Sequence, residues 1–173
     1  MTTAFRYDNT TITLHWATAA LISLGWVLAQ LVDSFGKAVE PSIVSLHILF
    51  GLVLLPVLVG RIALRLSGRS RPPADPGVAA LAARFLHGVL YLLIIATIVM
   101  GVANAWMRGS NVFGLFQFAA AANPDRVLRR SINGWHELAA NTLVILALLH
   151  AGAALLHHYV LRDDVLRRML PPR

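Results

Sequence analysis

The sequence predicts an all-α integral membrane protein, a four-helix bundle with both termini on the cytoplasmic side. Hydrophobic residues make up 57% of the chain and charged residues only 13%, a composition outside the range of soluble globular domains. Four apolar runs, about 12–32, 43–66, 81–106 and 135–160, each reach the roughly 20 residues that a spanning helix needs. These runs use most of the 173 residues, so we expect a single membrane domain over residues 1–173.

The distribution of basic residues predicts the orientation of this bundle. With the N-terminus inside, ten of the 15 lysines and arginines lie in cytoplasmic segments, which are enriched in these residues in membrane proteins. The inner basic residues are Arg6, Arg61, Arg65, Arg69, Arg71, Arg84, Arg162, Arg167, Arg168 and Arg173. The outer ones are Lys37, Arg108, Arg126, Arg129 and Arg130. The basic residues that give the net charge of +7 flank the helices, so this charge does not indicate a nucleic-acid partner.

The first apolar run is predicted to be a retained helix. Arg6 is the only basic residue before the run, and Asp8 lies between Arg6 and the run. His15 and Trp16 lie within the run. A signal peptide would have a more basic start and a clear small-residue cleavage pattern. A cleaved signal is the alternative interpretation of this run.

Proline marks a special position in the second run and in the connection that follows it. Pro56 lies inside the run and predicts a kink, which membrane helices tolerate when their neighbours satisfy the freed carbonyl. The connection 67–77, SGRSRPPADPG, is basic and proline-rich. We expect it to be irregular, because proline restricts its neighbours and ends helices.

The outer connection between the third and fourth runs is long. Its first part, NVFGLFQF at 111–118, is apolar and aromatic, and we expect it to lie in the membrane interface. Asn123-Pro124 predicts a helix start, a capping residue followed by proline. Asn133-Gly134 predicts a turn just before the fourth helix.

Histidines on the predicted helices indicate haem ligation. His136 and His150 are fourteen residues apart on the fourth run, so they face nearly the same way about 21 Å apart. An imidazole inside a membrane helix is energetically costly unless it has a bonding partner. Two stacked haems would give each of these two histidines an iron atom to bind. By depth, His47 is level with His136. His15 and His87 both compete to face His150.

Two other uses of these histidines are less consistent with the sequence. A zinc ion needs ligands that converge on one point, and no H-E-x-x-H motif occurs. A proton relay usually needs buried carboxylates, for which Glu137 is the one candidate. The chain has no cysteine, so iron–sulfur ligation and covalent haem attachment are excluded.

Three further groups of residues have two interpretations each. His157 lies two turns after His150 on the same face, where it would contact a quinone head group or simply lie at the interface. Arg61 and Arg65 would pair with haem propionates or anchor their helix at the inner surface. A basic cluster in the outer connection would attract an anion or form a solvated face; its members are Arg126, Arg129 and Arg130.

Taken in order, these motifs resemble the bacterial cytochrome b561 family over essentially the whole chain. They are Leu14-His15-Trp16, Leu46-His47 with Gly51, His87-Gly88 with Tyr91, Trp135-His136-Glu137, His150, His157-His158-Tyr159 and Arg167-Arg168-Met169-Leu170-Pro171. The resemblance implies a multi-pass protein of the bacterial inner membrane with two non-covalent b haems. It implies that His15 and His150 bind the iron of the inner haem. It also implies that His47 and His136 bind the iron of the outer haem.

The resemblance also implies a superoxide:ubiquinone oxidoreductase. Superoxide would be oxidised at the outer haem edge, and ubiquinone would be reduced near His157, with His87 as the second candidate. Lipid, superoxide and ubiquinone are then the expected partners. One alternative is a non-catalytic cytochrome b anchor subunit that serves a redox partner protein in a hydrogenase- or dehydrogenase-like complex. The other is a haem-free carrier or channel.

Overall fold

A computed structural model describes residues 6–68, 77–120 and 125–171. Some features predicted from the sequence lie outside these ranges. They are most of the irregular connection at 67–77, the helix start at Asn123-Pro124, and the basic residues Arg69, Arg71 and Arg173.

Four long helices make up most of the structure: α1 (Asn9–Leu31), α2 (Glu40–Leu66), α3 (Val78–Arg108) and α4 (Arg126–Leu156). Each contains a segment long and apolar enough to cross a membrane. Large apolar side chains such as Phe85, Leu92 and Leu148 are more than half exposed, as expected for a surface that faces lipid. The predicted helical membrane bundle is confirmed.

The helices pack mainly as two pairs, α1 with α2 and α3 with α4. A buried apolar cluster joins the pairs through three helices; it consists of Leu54, Leu58, Ile94, Ile98 and Leu143. Pro56 lies between two of these residues, and α2 continues through it as one helix. Because lipid is as apolar as leucine, close packing rather than hydrophobic burial stabilises such a core.

Helix α4 begins at Arg126 rather than near residue 135. The Asp125 carboxylate accepts a hydrogen bond from the backbone N–H of Val127 at 2.8 Å, which caps the first turn. The turn predicted at Asn133-Gly134 was wrong, because both residues lie inside this helix. The added turns are polar and basic, so an apolar run does not reveal them.

A β-hairpin follows α3 and defines what we call the hairpin end of the bundle. Its strands are antiparallel; they are β1 (Asn111–Val112) and β2 (Phe116–Gln117). Phe113 and Gly114 form the turn with φ of 53° and 73°, the left-handed backbone that a tight hairpin turn requires. Val112 is fully buried, and the Ser45 hydroxyl donates to the Asn111 carbonyl at 3.1 Å, which ties the hairpin to α2.

The opposite end, which we call the terminal end, holds the first and the last residues that the structure describes. Helix α4 continues there into a π-helix, His157–Leu161, after which Arg162 has a left-handed φ of 55°. The C-terminal segment then lies against the start of the chain. Three hydrogen bonds hold it there: Tyr7 N to Arg168 O at 3.3 Å, Arg6 Nη2 to Leu170 O at 2.9 Å, and Trp16 Nε1 to Met169 O at 2.8 Å.

Candidate functional site

His47 on α2 and His136 on α4 face each other at the hairpin end, with ring centroids 6.0 Å apart. The Nδ1 of His47 lies 2.8 Å from the carbonyl oxygen of Gly25, and the Nδ1 of His136 lies 3.0 Å from that of Thr97. A carbonyl oxygen only accepts, so each Nδ1 must donate, and each Nε2 keeps its lone pair. Metal-ligating histidines are held in this way by their second nitrogen.

A cavity of about 590 Å³ adjoins this pair, a volume within the usual range for cofactor sites. Gly25, Gly51 and Gly101 line it. A Cβ atom at Gly25 or Gly51 would meet no atom within 4 Å, whereas one at Gly101 would lie 3.0 Å from Cε1 of His136. Glycine therefore keeps part of this space open and lets the His136 ring approach the α3 backbone. The donor atoms and the space fit a haem.

Two histidines lie near His150 of α4 at the terminal end: His15 on α1 and His87 on α3 each have a ring close to that of His150. The ring centroids of His15 and His150 are 6.3 Å apart, and those of His87 and His150 are 5.1 Å apart. Two imidazoles on opposite sides of one iron should have centroids roughly 6 Å apart, from two metal–nitrogen bonds of about 2 Å plus the ring radii. The spacing of His15 and His150 fits this geometry, whereas His87 lies too close to His150.

Arg61 lies half-buried beside the histidines of the terminal end. Its Nη2 is 3.4 Å from the Nδ1 of His15, which is long for a hydrogen bond. The guanidinium carbons of Arg61 and Arg65 lie 5.3 and 5.8 Å from the centre of the Tyr91 ring. Neither arginine forms an ion pair with another described residue. Two such cations are suited to bind a carboxylate such as a haem propionate.

A polar network at the hairpin-end cavity was missed by sequence analysis. Asn104 Nδ2 donates to Asn133 Oδ1 at 2.8 Å, and Arg108 donates to Asn104 Oδ1 at 3.1 Å and to Asn133 Oδ1 at 3.2 Å. All three residues line the cavity. The available signal was the spacing of Asn104 and Arg108, one helical turn apart on α3 in an otherwise apolar run.

Acidic residues also line the hairpin-end cavity: Asp33, Glu40 and Glu137. Of the described lining residues only Arg108 is a lysine or arginine, so the lining has a negative formal charge. Glu137, the one candidate carboxylate for a proton relay, is exposed. Its exposure removes the sequence argument for a buried proton relay through this residue.

The other predicted site residues lie at the two ends of α4. The basic cluster occupies its first two turns, with Arg126 and Arg130 exposed and Arg129 half-buried. None of the three lines the hairpin-end cavity. At the terminal end, the Nδ1 of His157 lies 2.5 Å from a carboxylate oxygen of Asp163, a partner that sequence analysis did not identify.

A cluster of metal ligands of the kind that holds a zinc ion does not occur among the described residues. Within 6–68, 77–120 and 125–171, no group of three or more His, Cys, Asp or Glu side chains converges on one point. A zinc centre built from several such ligands is therefore absent from this part of the chain.

Comparison with known proteins agrees with the resemblance noted from the sequence. The family model for prokaryotic cytochrome b561 matches residues 6–172. A protein of Yersinia pestis named probable superoxide oxidase CybB is 34% identical, with 97% of each chain covered. Cytochrome b562 of Cereibacter sphaeroides is 36% identical, with 96% of each chain covered. Cytochrome b561 homolog 1 of Escherichia coli is 30% identical, covering 97% of this chain and 98% of the relative.

These matches extend over nearly the whole chain, and the four apolar helices agree with them. They imply haem b binding and electron transfer in the bacterial inner membrane, which the chain crosses several times. The chain belongs to the prokaryotic cytochrome b561 family.

Proposed function

We propose that this protein oxidises superoxide at the hairpin end and delivers the electrons to ubiquinone at the terminal end, through two b haems. The observation that carries this proposal is the presence of two histidine pairs at opposite ends of the bundle, with centroids 6.0 and 6.3 Å apart. A relative named probable superoxide oxidase supports the choice of donor. Each turnover consumes two superoxide anions, one ubiquinone and two protons, and yields two dioxygen molecules and one ubiquinol.

In this proposal His47 and His136 hold one haem iron, and His15 and His150 hold the other. When bound, haem supplies one-electron redox chemistry. The carbonyls of Gly25 and Thr97 orient the first pair by accepting from Nδ1. Arg61 and Arg65 bind a propionate at the terminal end, where their stacking on Tyr91 leaves guanidinium donors for a carboxylate.

Both termini lie in the cytoplasm in this proposal, and the hairpin end faces the periplasm. The excess of arginine at the terminal end supports this orientation, because cytoplasmic flanks of membrane helices are rich in Lys and Arg. The described arginines at that end include Arg6, Arg61, Arg65, Arg84, Arg162, Arg167 and Arg168.

The basic cluster Arg126, Arg129 and Arg130 attracts superoxide to the hairpin end. It lies at the N-terminus of α4, whose dipole adds a further partial positive charge. No described residue forms an ion pair with any of the three. Because the cavity itself carries acidic side chains, attraction of an anion depends on this cluster, together with Arg108 at the cavity.

Ubiquinone is reduced at the terminal end, with His157 as a proton donor and His87 as the second candidate. His157 lies on the π-helix that extends α4 beyond His150. A donor there supplies a proton as the quinone receives electrons.

The test is a coupled assay on the purified protein in lipid nanodiscs that contain ubiquinone. We expect two superoxide anions to be consumed for each ubiquinol formed, with dioxygen as the other product. His157→Ala should slow ubiquinol formation and leave both haem spectra unchanged. If superoxide fails to reduce the protein, the oxidase proposal is wrong. In that case co-purification with a peripheral redox subunit would support the electron-transfer anchor.

A further inference from the structure

At the end of α4 the chain turns back, so that the carboxylate of Asp163 contacts His157 on the preceding helical turn. Residues His157–Leu161 form a π-helix, a rare geometry found often at functional sites. Arg162 then takes a left-handed conformation with φ of 55°, which turns the chain back. As a result the backbone N–H of Asp163 donates to the carbonyl of His157 at 3.1 Å.

The side chains of His157 and Asp163 meet in this turn. His157 Nδ1 lies 2.5 Å from Asp163 Oδ2, with the two side chains 33% and 41% exposed. The other carboxylate oxygen, Oδ1, accepts from the backbone N–H of Val165 at 3.0 Å. Both oxygens are therefore engaged, and the carboxylate is fixed to the backbone. The hydrogen bond from His157 holds the pKa of the Asp163 carboxyl below its ordinary value.

We propose that Asp163 is a positioning residue that holds His157 ready to pass a cytoplasmic proton to ubiquinone. This inference rests on the proposed function, since it assumes that a quinone is reduced at the terminal end. With Nδ1–H committed to Asp163, Nε2 is the nitrogen that exchanges protons. Reduction of ubiquinone to ubiquinol takes two electrons and two protons. Nε2 of the imidazolium gives one proton to a quinone oxygen, and the resulting neutral imidazole is reprotonated from the cytoplasm. The second proton follows by the same route.

A polar cavity of about 350 Å³ lies beside the pair and is lined by His158, Tyr159, Arg162, Asp163 and Arg167. Arg168 also interacts electrostatically with Asp163 and with Tyr7. Asp163 lines this cavity and holds the Nδ1 of His157. It therefore joins the ring to a polar space at the terminal end, from which a proton can be supplied.

The neighbouring Asp164 gives a matched control. It forms an exposed ion pair with Arg167 at 3.3 Å, and its side chain forms no hydrogen bond or ion pair with His157. Asp163→Asn keeps an oxygen for the Val165 N–H, so it removes the charge while retaining a group that holds the turn. Asp163→Glu keeps the charge on a longer side chain.

The experiment measures the quinone step alone. Protein reduced stoichiometrically with dithionite is mixed anaerobically with a short-chain ubiquinone, and reoxidation is followed from pH 6 to pH 9. We expect Asp163→Asn to reoxidise about tenfold more slowly than wild type at pH 8, because a general acid contributes at least that much. The difference should shrink towards pH 6, where protons are abundant. Asp163→Glu should recover most of the rate, and Asp164→Asn should match wild type.

Two results would overturn the inference. One is a wild-type pH profile in Asp163→Asn. The other is equal slowing by Asp163→Asn in wild type and in a His157→Ala background, because a positioning residue has no effect once its partner is gone. If Asp163→Asn loses haem, His157→Gln decides the matter. Glutamine can still donate to Asp163 but cannot relay a proton, so retention of the wild-type profile would contradict the proposal.

The design separates this inference from the proposed function. Dithionite replaces superoxide, so failure of superoxide as a donor leaves the quinone step measurable. If ubiquinone does not reoxidise the wild-type protein, both the proposed acceptor and the role of Asp163 are wrong.

Discussion

Replacing His136 or His47 with alanine should remove the hairpin-end haem and leave the terminal-end haem in place. In the proposed arrangement each substitution would take away one of the two histidines that hold the iron, and the remaining imidazole alone would not complete a low-spin site. The effect should be close to complete loss, since no other described histidine lies in contact with this pair. Haem per chain and the low-spin ferric signals in electron paramagnetic resonance measure it.

The reverse pattern should follow from His15→Ala and His150→Ala, which should remove the terminal-end haem only. His87→Ala is the matched control, because its ring is 5.1 Å from that of His150 yet is not at the spacing of an opposite ligand. It should retain both low-spin signals. Loss of a signal in His87→Ala, with both retained in His15→Ala, would show that the terminal-end pair is assigned wrongly.

Superoxide should reduce the oxidised protein quickly at low salt and about tenfold more slowly at high salt. The reason is the basic cluster at the start of α4, whose attraction of an anion is screened as the Debye length falls from about 10 Å at 0.1 M to about 3 Å at 1 M salt. Converting Arg126, Arg129 and Arg130 together to glutamine should slow the low-salt reaction by a similar factor. Stopped-flow absorbance of the haem measures both effects.

Lys37→Gln provides the control for this experiment, because Lys37 lies in the α1–α2 connection at the same end but outside the cluster. It should change the rate far less than the arginine substitutions. A fast reaction that is insensitive to salt and to the three substitutions would refute the role of the arginines while leaving the activity in place.

The membrane fold was predictable because hydropathy reports spans directly. The helix boundaries were less predictable. Helix α4 begins at Arg126, directly after the capping residue Asp125, and its first turns are a polar and basic stretch that an apolar window does not include. The hairpin was also missed. Its turn uses Phe113-Gly114 rather than the Asn-Gly or Asp-Gly pair that usually marks a tight hairpin turn.

The sequence predicted how deep each histidine lies along its helix, but not which way each helix is rotated and therefore which histidines face each other. Counting residues along the helices placed His47 level with His136, but it left His15 and His87 as equal partners for His150. The spacing of the rings across the bundle, 6.3 Å from His15 to His150 and 5.1 Å from His87 to His150, is what favours His15 in the proposal. The network of Asn104, Arg108 and Asn133 could not be assembled from sequence for the same reason, since its members come from two helices.

The contact between His157 and Asp163 depends on a backbone conformation that could not be predicted from the sequence. If a regular α-helix ended at this position, the chain would continue away from His157. The π-helix and the left-handed Arg162 instead fold Asp163 back onto the ring. No simple pattern of residue types predicts a π-helix, so sequence analysis named His157 without its partner.

In the proposed arrangement one chain holds two haems, each between two histidines from different helices. The most direct measurement is the pyridine haemochrome spectrum of the purified wild-type protein, with haem counted against protein. We predict the b-type spectrum, as expected for a chain without cysteine, and two haems per chain. A value near one, or no haem at all, would contradict the binding of two haems.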